Sequence, residues 1–269
     1  MSERSYLMES EEEAIRLDVK TDGRTVEEHA RWAGLRPGMR VADFGCGSGK
    51  TTFHLNQVVQ PGGHGLGVDM AAQRIDFARA HYEAPGLEFR VKDIREPLEE
   101  FGLFDFIWVR FVLEYYRAQS FDMVRHFSAA LKPGGTLCLV DLDCNCLRFH
   151  GFPLRLERAV QCIMARLEER LNFDPYVGIK LYSFLYDLGF ENIQVMITPH
   201  NLIYSRFQEN EKFNWSKKAQ ISGKLSGYAF EEYAGGYDEF IAELDRLFSD
   251  PRVFTYTPLV VCRGDRPRA

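Results

Sequence analysis

The stretch Val41-Ala42-Asp43-Phe44-Gly45-Cys46-Gly47-Ser48-Gly49-Lys50-Thr51 constrains this chain more than any other part of it. It sets three glycines at alternate positions between a β-rich run (39–44) and a helical pattern (Lys50–Val59). Glycine reaches left-handed backbone angles that other residues avoid, and its missing side chain lets main chain approach a ligand. A strand turning this sharply into a helix predicts a sheet whose carboxyl ends face a ligand beside a helix N-terminus, the general arrangement of open α/β sheets.

The chain after the loop repeats the alternation. Strands are expected at His64–Asp69, Leu87–Val91, 104–109 and 136–141, and helices at 71–82 and 121–131. Pro61-Gly62-Gly63 and Lys132-Pro133-Gly134-Gly135 end two of the helices. The 104–109 run is nearly all apolar, as a strand buried on both faces should be. A long amphipathic helix follows through Leu156, Val160, Ile163, Met164, Leu167 and Leu171, then a helix at 176–188 and late strands at 192–198 and 253–262. Such alternation with short loops predicts a doubly wound, Rossmann-like α/β fold. Its sheet should be mostly parallel and seven-stranded with an antiparallel edge strand, flanked by N-terminal helices and a cap insertion.

Composition removes several classes of function. The 33 basic and 39 acidic residues are interspersed and leave a net charge of −6, which argues against a nucleic acid held by bulk electrostatics. No apolar run reaches the roughly 18 residues of a membrane span. The acidic start, MSERSYLMESEEEAIRL, lacks the basic-then-apolar pattern of a signal peptide, so a cytoplasmic protein is expected. The 6 cysteines show no zinc spacing and fit reduced structural thiols. Asp141-x-Asp143-x-Asn145 has the look of a divalent-metal site, but the rest of such a constellation is missing, so no metal is expected.

Three ligand classes compete for the glycine loop. A phosphate-binding loop needs G-x-x-x-x-G-K-[ST]; Gly49-Lys50-Thr51 matches its end, but Phe44 stands at the first glycine. A dinucleotide fingerprint needs G-x-G-x-x-G, and its third glycine falls on Lys50. The third class rests on resemblance. Asp43-x-Gly45-x-Gly47-x-Gly49 resembles motif I of the class I S-adenosylmethionine-dependent methyltransferases, and Gly67-Val68-Asp69-Met70, Val91-Lys92-Asp93-Ile94, the 104–110 run and Leu131-Lys132-Pro133-Gly134-Gly135 resemble that family's later motifs in order. The likeness is close over 33–142 and loose over 185–198 and 251–263. It implies S-adenosylmethionine as cofactor, with S-adenosylhomocysteine as product.

The same resemblance implies a cofactor set of Asp43, Gly45, Cys46, Gly47, Asp69, Met70, Asp93, Ile94 and Arg110. Asp69 would accept the ribose hydroxyls and Asp93 the adenine amine, with Met70 and Ile94 against the ring and Arg110 near the methionine moiety. Strand four ends in Val109-Arg110-Phe111-Val112 rather than the [DN]PP[YF] of amine-methylating nucleic-acid enzymes, and no Pro-Cys nucleophile is present there. A small, apolar or aromatic acceptor is therefore expected. The alternatives are a non-catalytic cofactor-binding partner or sensor, and methylation of protein or RNA. Acceptor-side candidates are Glu114, Tyr115, Tyr116, Asp141, Asp143, His150 and His200, with no general base assigned.

The resemblance also divides the 269 residues as a single domain. Residues 37–142 would form the cofactor-binding core, 143–199 and 251–263 the rest of the sheet and its helices, 1–36 an N-terminal helical flap containing Tyr6, Met8 and Arg16, and 200–250 a cap insertion. The cap's Phe207, Phe213, Trp215, Tyr228, Phe230, Tyr233 and Tyr237 would roof the acceptor pocket, the alternatives being a packing cap or a homodimer surface.

Overall fold

The computed structural model describes residues 13–145, 147–205, 207 and 209–268. Tyr6, Met8 and Cys146, and the side chain of Phe213, lie outside the described residues. Two helices, α1 (Glu13–Lys20) and α2 (Gly23–Trp32), precede β1 (Arg40–Phe44), α3 (Lys50–Val59), β2 (His64–Asp69), α4 (Ala72–His81) and β3 (Leu87–Val91). Then come β4 (Phe104–Arg110), a 3-10 turn (Leu113–Tyr115), α5 (Ser120–Ala129), β5 (Leu131–Leu142), the two-residue β6 (Phe149–His150) and α6 (Leu154–Arg170). The C-terminal part holds α7 (Leu181–Asp187), β7 (Glu191–Tyr204), α8 (Glu209–Ser226), α9 (Gly236–Leu247) and β8 (Phe254–Asp265).

One sheet runs β3-β2-β1-β4-β5-β8, with β7 on the far side of β8 and β6 extending the β5 side. The pairs from β3 to β5 are parallel, and β8 is antiparallel to both β5 and β7. The seven long strands match the expected number, with β6 a short addition. The antiparallel strand is not the edge, however: β8 inserts between β5 and β7, so β7 is the edge strand.

Strand β4 explains why the sheet is covered on both faces. Phe104, Ile107 and Val109 pack into one apolar cluster with α5 and α7, while Phe106 and Trp108 pack into another with α2 and α3. Alternate side chains of a strand point to opposite faces, so an all-apolar strand needs helices above and below. The expected 176–188 helix is split into a 3-10 turn (Val177–Lys180) and α7. Strand β7 runs six residues beyond 198, to Tyr204. A third apolar cluster joins α6 to α8 and α9 through Leu156, Ile163, Trp215, Phe240 and Phe248.

Candidate active site

The glycine loop sits at the carboxyl end of β1. Gly45, Gly47 and Gly49 have φ of +83°, +55° and +84°, so each takes a conformation that a side chain would strain. The Gly45 and Cys46 amides both donate to the Val68 carbonyl (2.8 and 3.1 Å), which folds the loop onto β2. The Asp69 carboxylate accepts from the Gly47 amide (2.9 Å) and the Ala71 amide (2.9 Å), with Arg74 Nε at 3.6 Å. A Cβ on Gly45 would lie 2.4 Å from Val112 Cγ2, and one on Gly49 would lie 2.5 Å from Ala78 Cβ. The first glycine thus admits the turn after β4, while the third admits α4. Asp43 is 2% exposed and accepts from the Thr52 hydroxyl (2.7 Å); burial pushes its pKa up to about 7.

Above the loop lies a cavity of about 1420 Å³, open to solvent. Asp43, Gly45, Cys46, Gly47, Asp69, Met70, Ile94 and Arg110 all line it. Asp93 does not: it accepts from the amide and Nε of Arg95, both at 2.9 Å, and that pair holds its pKa below the ordinary value. Helix α1 closes one side through Arg16, Leu17 and Lys20. It is tied down by Lys50 Nζ, which donates to the Asp18 carbonyl (2.9 Å), and by the Tyr82 hydroxyl on the Asp18 carboxylate. Lys50 therefore holds a helix rather than standing in solvent or facing a phosphate.

The opposite wall follows β4. Phe111 has φ of +56°, an unusual conformation for an aromatic residue. The Arg110 guanidinium lies 4.3 Å from its ring centre and Lys20 Nζ 5.2 Å. Burial lowers the Arg110 pKa to about 10, opposed by Asp43 and Asp141. The Asp141 carboxylate, 1% exposed, accepts from the amides of Leu113 (3.1 Å), Glu114 (3.3 Å) and Leu142 (2.9 Å). It shapes the turn and does not line the cavity. Glu114 does line it, together with Tyr115 and Tyr116. Its carboxylate accepts from Asn145 Nδ2 (2.7 Å), and burial raises its pKa.

Asp143, His150 and His200 are absent from the lining. His150 is exposed on β6. The His200 ring lies 5.3 Å from that of Phe111, and burial, with Lys20 and Arg110 nearby, pushes its pKa down. No group of three or more His, Cys, Asp or Glu suited to a metal occurs among the described residues.

Residues 41–135 match the family model described as "Methyltransferase domain". The chain is 33% identical over 246 residues to an arsenite methyltransferase of Aquipseudomonas alcaligenes, which covers 87% of this chain and 62% of that protein. The chain carries a class I S-adenosylmethionine-dependent methyltransferase domain. Another methyltransferase relative, phosphoethanolamine N-methyltransferase 1 of Arabidopsis thaliana, is 31% identical over 126 residues, 46% of this chain and 25% of that protein. The chain therefore spans less than two thirds of the length of these relatives. The fold is shared with the solved Haemonchus contortus phosphoethanolamine N-methyltransferase 2 in complex with S-adenosyl-L-methionine. The TM-score is 0.56 at 15% identity, covering 99% of this chain and 60% of that one.

Sequence reasoning missed the basic residues of this methyltransferase's cavity. Lys20 on α1 and Lys218 on α8 both line it, and neither carries a local signal that would have marked it.

Proposed function

We propose that this chain moves the sulfonium methyl of S-adenosylmethionine to a small acceptor with an apolar body. The observation that carries the reading is one continuous cavity. Its first wall holds Gly47, Asp69, Met70 and Ile94, and its second holds Glu114, Tyr115 and Tyr116. The first wall suits the cofactor. A Cβ on Gly47 would meet Leu17 at 2.9 Å, so the loop forms a shallow cradle beneath α1. Asp69 Oδ1 and Oδ2 each accept one backbone amide, leaving acceptor capacity for ribose hydroxyls. Met70 and Ile94 offer apolar surface to a purine.

The bound cofactor supplies an electrophilic methyl on a good leaving group. The chain supplies alignment, exclusion of water and proton removal. Glu114 is the acceptor-side carboxylate of the lining, and its raised pKa suits it to take a proton from an acceptor hydroxyl or amine. Residues 205–250, the part of the expected 200–250 insertion that lies beyond β7, act as a cap within a single domain, and Trp215, Phe240 and Phe248 support that role by lining an apolar chamber beside the cavity. The free thiols, Cys46, Cys138, Cys144, Cys162 and Cys262, support a reducing, cytoplasmic setting. No helix among the described residues is long and apolar enough to cross a membrane.

Calorimetric titration with S-adenosylmethionine and S-adenosylhomocysteine tests cofactor binding, and absence of heat with both ligands refutes it. Donor consumption over a panel of small metabolites then tests turnover. Binding without consumption of donor would identify a cofactor-binding partner or sensor instead of an enzyme.

A further inference from the structure

Among the described residues, the charges that line the cavity are unbalanced. Arg16, Lys20, Arg74, Arg110 and Lys218 face Asp43, Asp69 and Glu114. Asp69 is met by Arg74, and Asp43 lies buried beneath the loop with the Thr52 hydroxyl. Glu114 accepts from Asn145 and is the one lining carboxylate that acts on Lys20 and Lys218, so it answers only one of their two charges. Lys20 and Lys218 have no carboxylate within ion-pair distance among the described residues. Instead Lys20 Nζ lies 5.2 Å from the ring centre of Phe111, and Lys218 Nζ lies 5.4 Å from that of Trp215. They come from helices nearly two hundred residues apart in sequence, yet they line the same space as Glu114.

The Lys218 charge acts against the Lys20 ammonium. Burial, the Lys218 charge and the Arg16 charge all push the Lys20 pKa down, with Glu114 opposing them. A cation clustered with others in a half-buried site is costly unless an anion joins it. The cofactor does not supply the balance. With a sulfonium, an ammonium and a carboxylate, it adds a net positive charge to the same cavity.

A second chamber adjoins this site. It spans about 430 Å³, part of it open to solvent, and is lined by Phe149, Phe152, Ile163, Trp215, Phe240 and Leu244, among others. It shares Met164, Lys218 and Ser222 with the main cavity. Lys218 therefore stands at the junction of an apolar chamber and a cationic one.

We propose that the methyl acceptor is an amphiphilic anion. Its carboxylate or phosphate is held between Lys20 and Lys218, and its apolar body enters the chamber between α6, α8 and α9. This deepens the methyltransferase reading and rests on it. The two lysines select the acceptor and take no part in holding the cofactor.

The test uses the full chain saturated with S-adenosylhomocysteine and four probes of equal length: octanoate, octyl phosphate, octanol and octylamine. At least one anion should bind ten or more times tighter than octanol, and octylamine should bind weakest. The rank of octanoate against octyl phosphate decides between carboxylate and phosphate. Lys20→Met and Lys218→Met should each abolish the preference for the anion. Both should leave S-adenosylhomocysteine affinity within about twofold, which also shows that they fold. Lys218→Arg should keep the preference.

Equal binding of anion and alcohol, tightest binding of octylamine, or no binding of any probe overturns the proposal. So does a large loss of S-adenosylhomocysteine affinity in either lysine variant, because the lysines would then serve the cofactor. Failure of the native chain to bind S-adenosylhomocysteine refutes the methyltransferase reading itself, and that titration comes first.

Discussion

The wall proposed for the cofactor is main chain held by the buried Asp69 carboxylate, whereas the wall proposed for the acceptor is side chain gathered from distant helices. In the first, Asp69 bonds two amides and the Val68 carbonyl takes two more, so the loop is fixed by groups within thirty residues of one another. In the second, Glu114 follows β4, while Lys20 comes from α1, Met164 from α6 and Lys218 from α8. A main-chain cradle serves one invariant ligand. A side-chain wall can be rewritten one residue at a time, which suits the part of the site that chooses the acceptor.

Substitutions that separate the walls put this comparison at risk. The largest effect is expected from Glu114→Gln. With an acceptor found in the donor-consumption assay, turnover should fall about 10²- to 10⁴-fold, the usual worth of a positioned proton acceptor. S-adenosylhomocysteine affinity should stay within about twofold. An equal loss of both would mean that the walls are not independent.

Asp43 sharpens the cofactor side. Its folded pKa is raised from 3.8 to about 7, so the folded state holds a proton that the unfolded chain has lost between those values. The stability that this contributes is full below about pH 4, declines as pH rises to about 7 and is then flat. Asp43→Asn keeps an acceptor for Thr52 and removes the titration. In urea unfolding, the variant should gain on the native chain over that pH range, by on the order of 4 kcal/mol. A constant difference across pH would refute the buried, protonatable state.

Asp69→Ala should weaken S-adenosylhomocysteine binding by ~1–3 kcal/mol in calorimetry, since polar partners are left unmet. Unchanged affinity would remove Asp69 from the cofactor wall. Gly49→Ala should lower the unfolding free energy by ~1–3 kcal/mol, because an L side chain at φ of +84° is strained and meets Ala78. The smallest effect belongs to Lys132→Ala, which breaks a half-exposed pair with Asp105 at 2.8 Å far from either wall. Its cost should be no more than ~1 kcal/mol, with ligand affinity unaltered.

The two walls were also unequally legible. Helix Lys50–Val59 and strands His64–Asp69 and Leu87–Val91 begin and end where glycine, proline and periodicity say they should, because those signals act locally. Asp69 stands where strand β2 ends, so its place at the cavity follows from the alternation. Strand order is not local: 192–198 and 253–262 together read as the antiparallel edge, and only the pairing shows that the later strand lies inside, between Leu131–Leu142 and Glu191–Tyr204. Asp93 shows a pairing that is local, since the arginine two residues later holds its carboxylate. Lys218 had no such cue. On a polar stretch of α8 it looks like any solvated lysine until the helix is packed against α6.

Asp141 ties the acceptor wall to the sheet, and that has a consequence for divergence. Its carboxylate lies at the tip of β5 and grips the amides of Leu113 and Glu114, three and four residues beyond the end of β4. The distance from the sheet to Glu114 is therefore set by the sheet and not by α8 or α9. Misplacement by about an ångström can cost a hundredfold in rate. A lineage could exchange residues 205–250 for another cap, and with it the acceptor, without disturbing that distance. The joint makes the reaction heritable and the substrate replaceable.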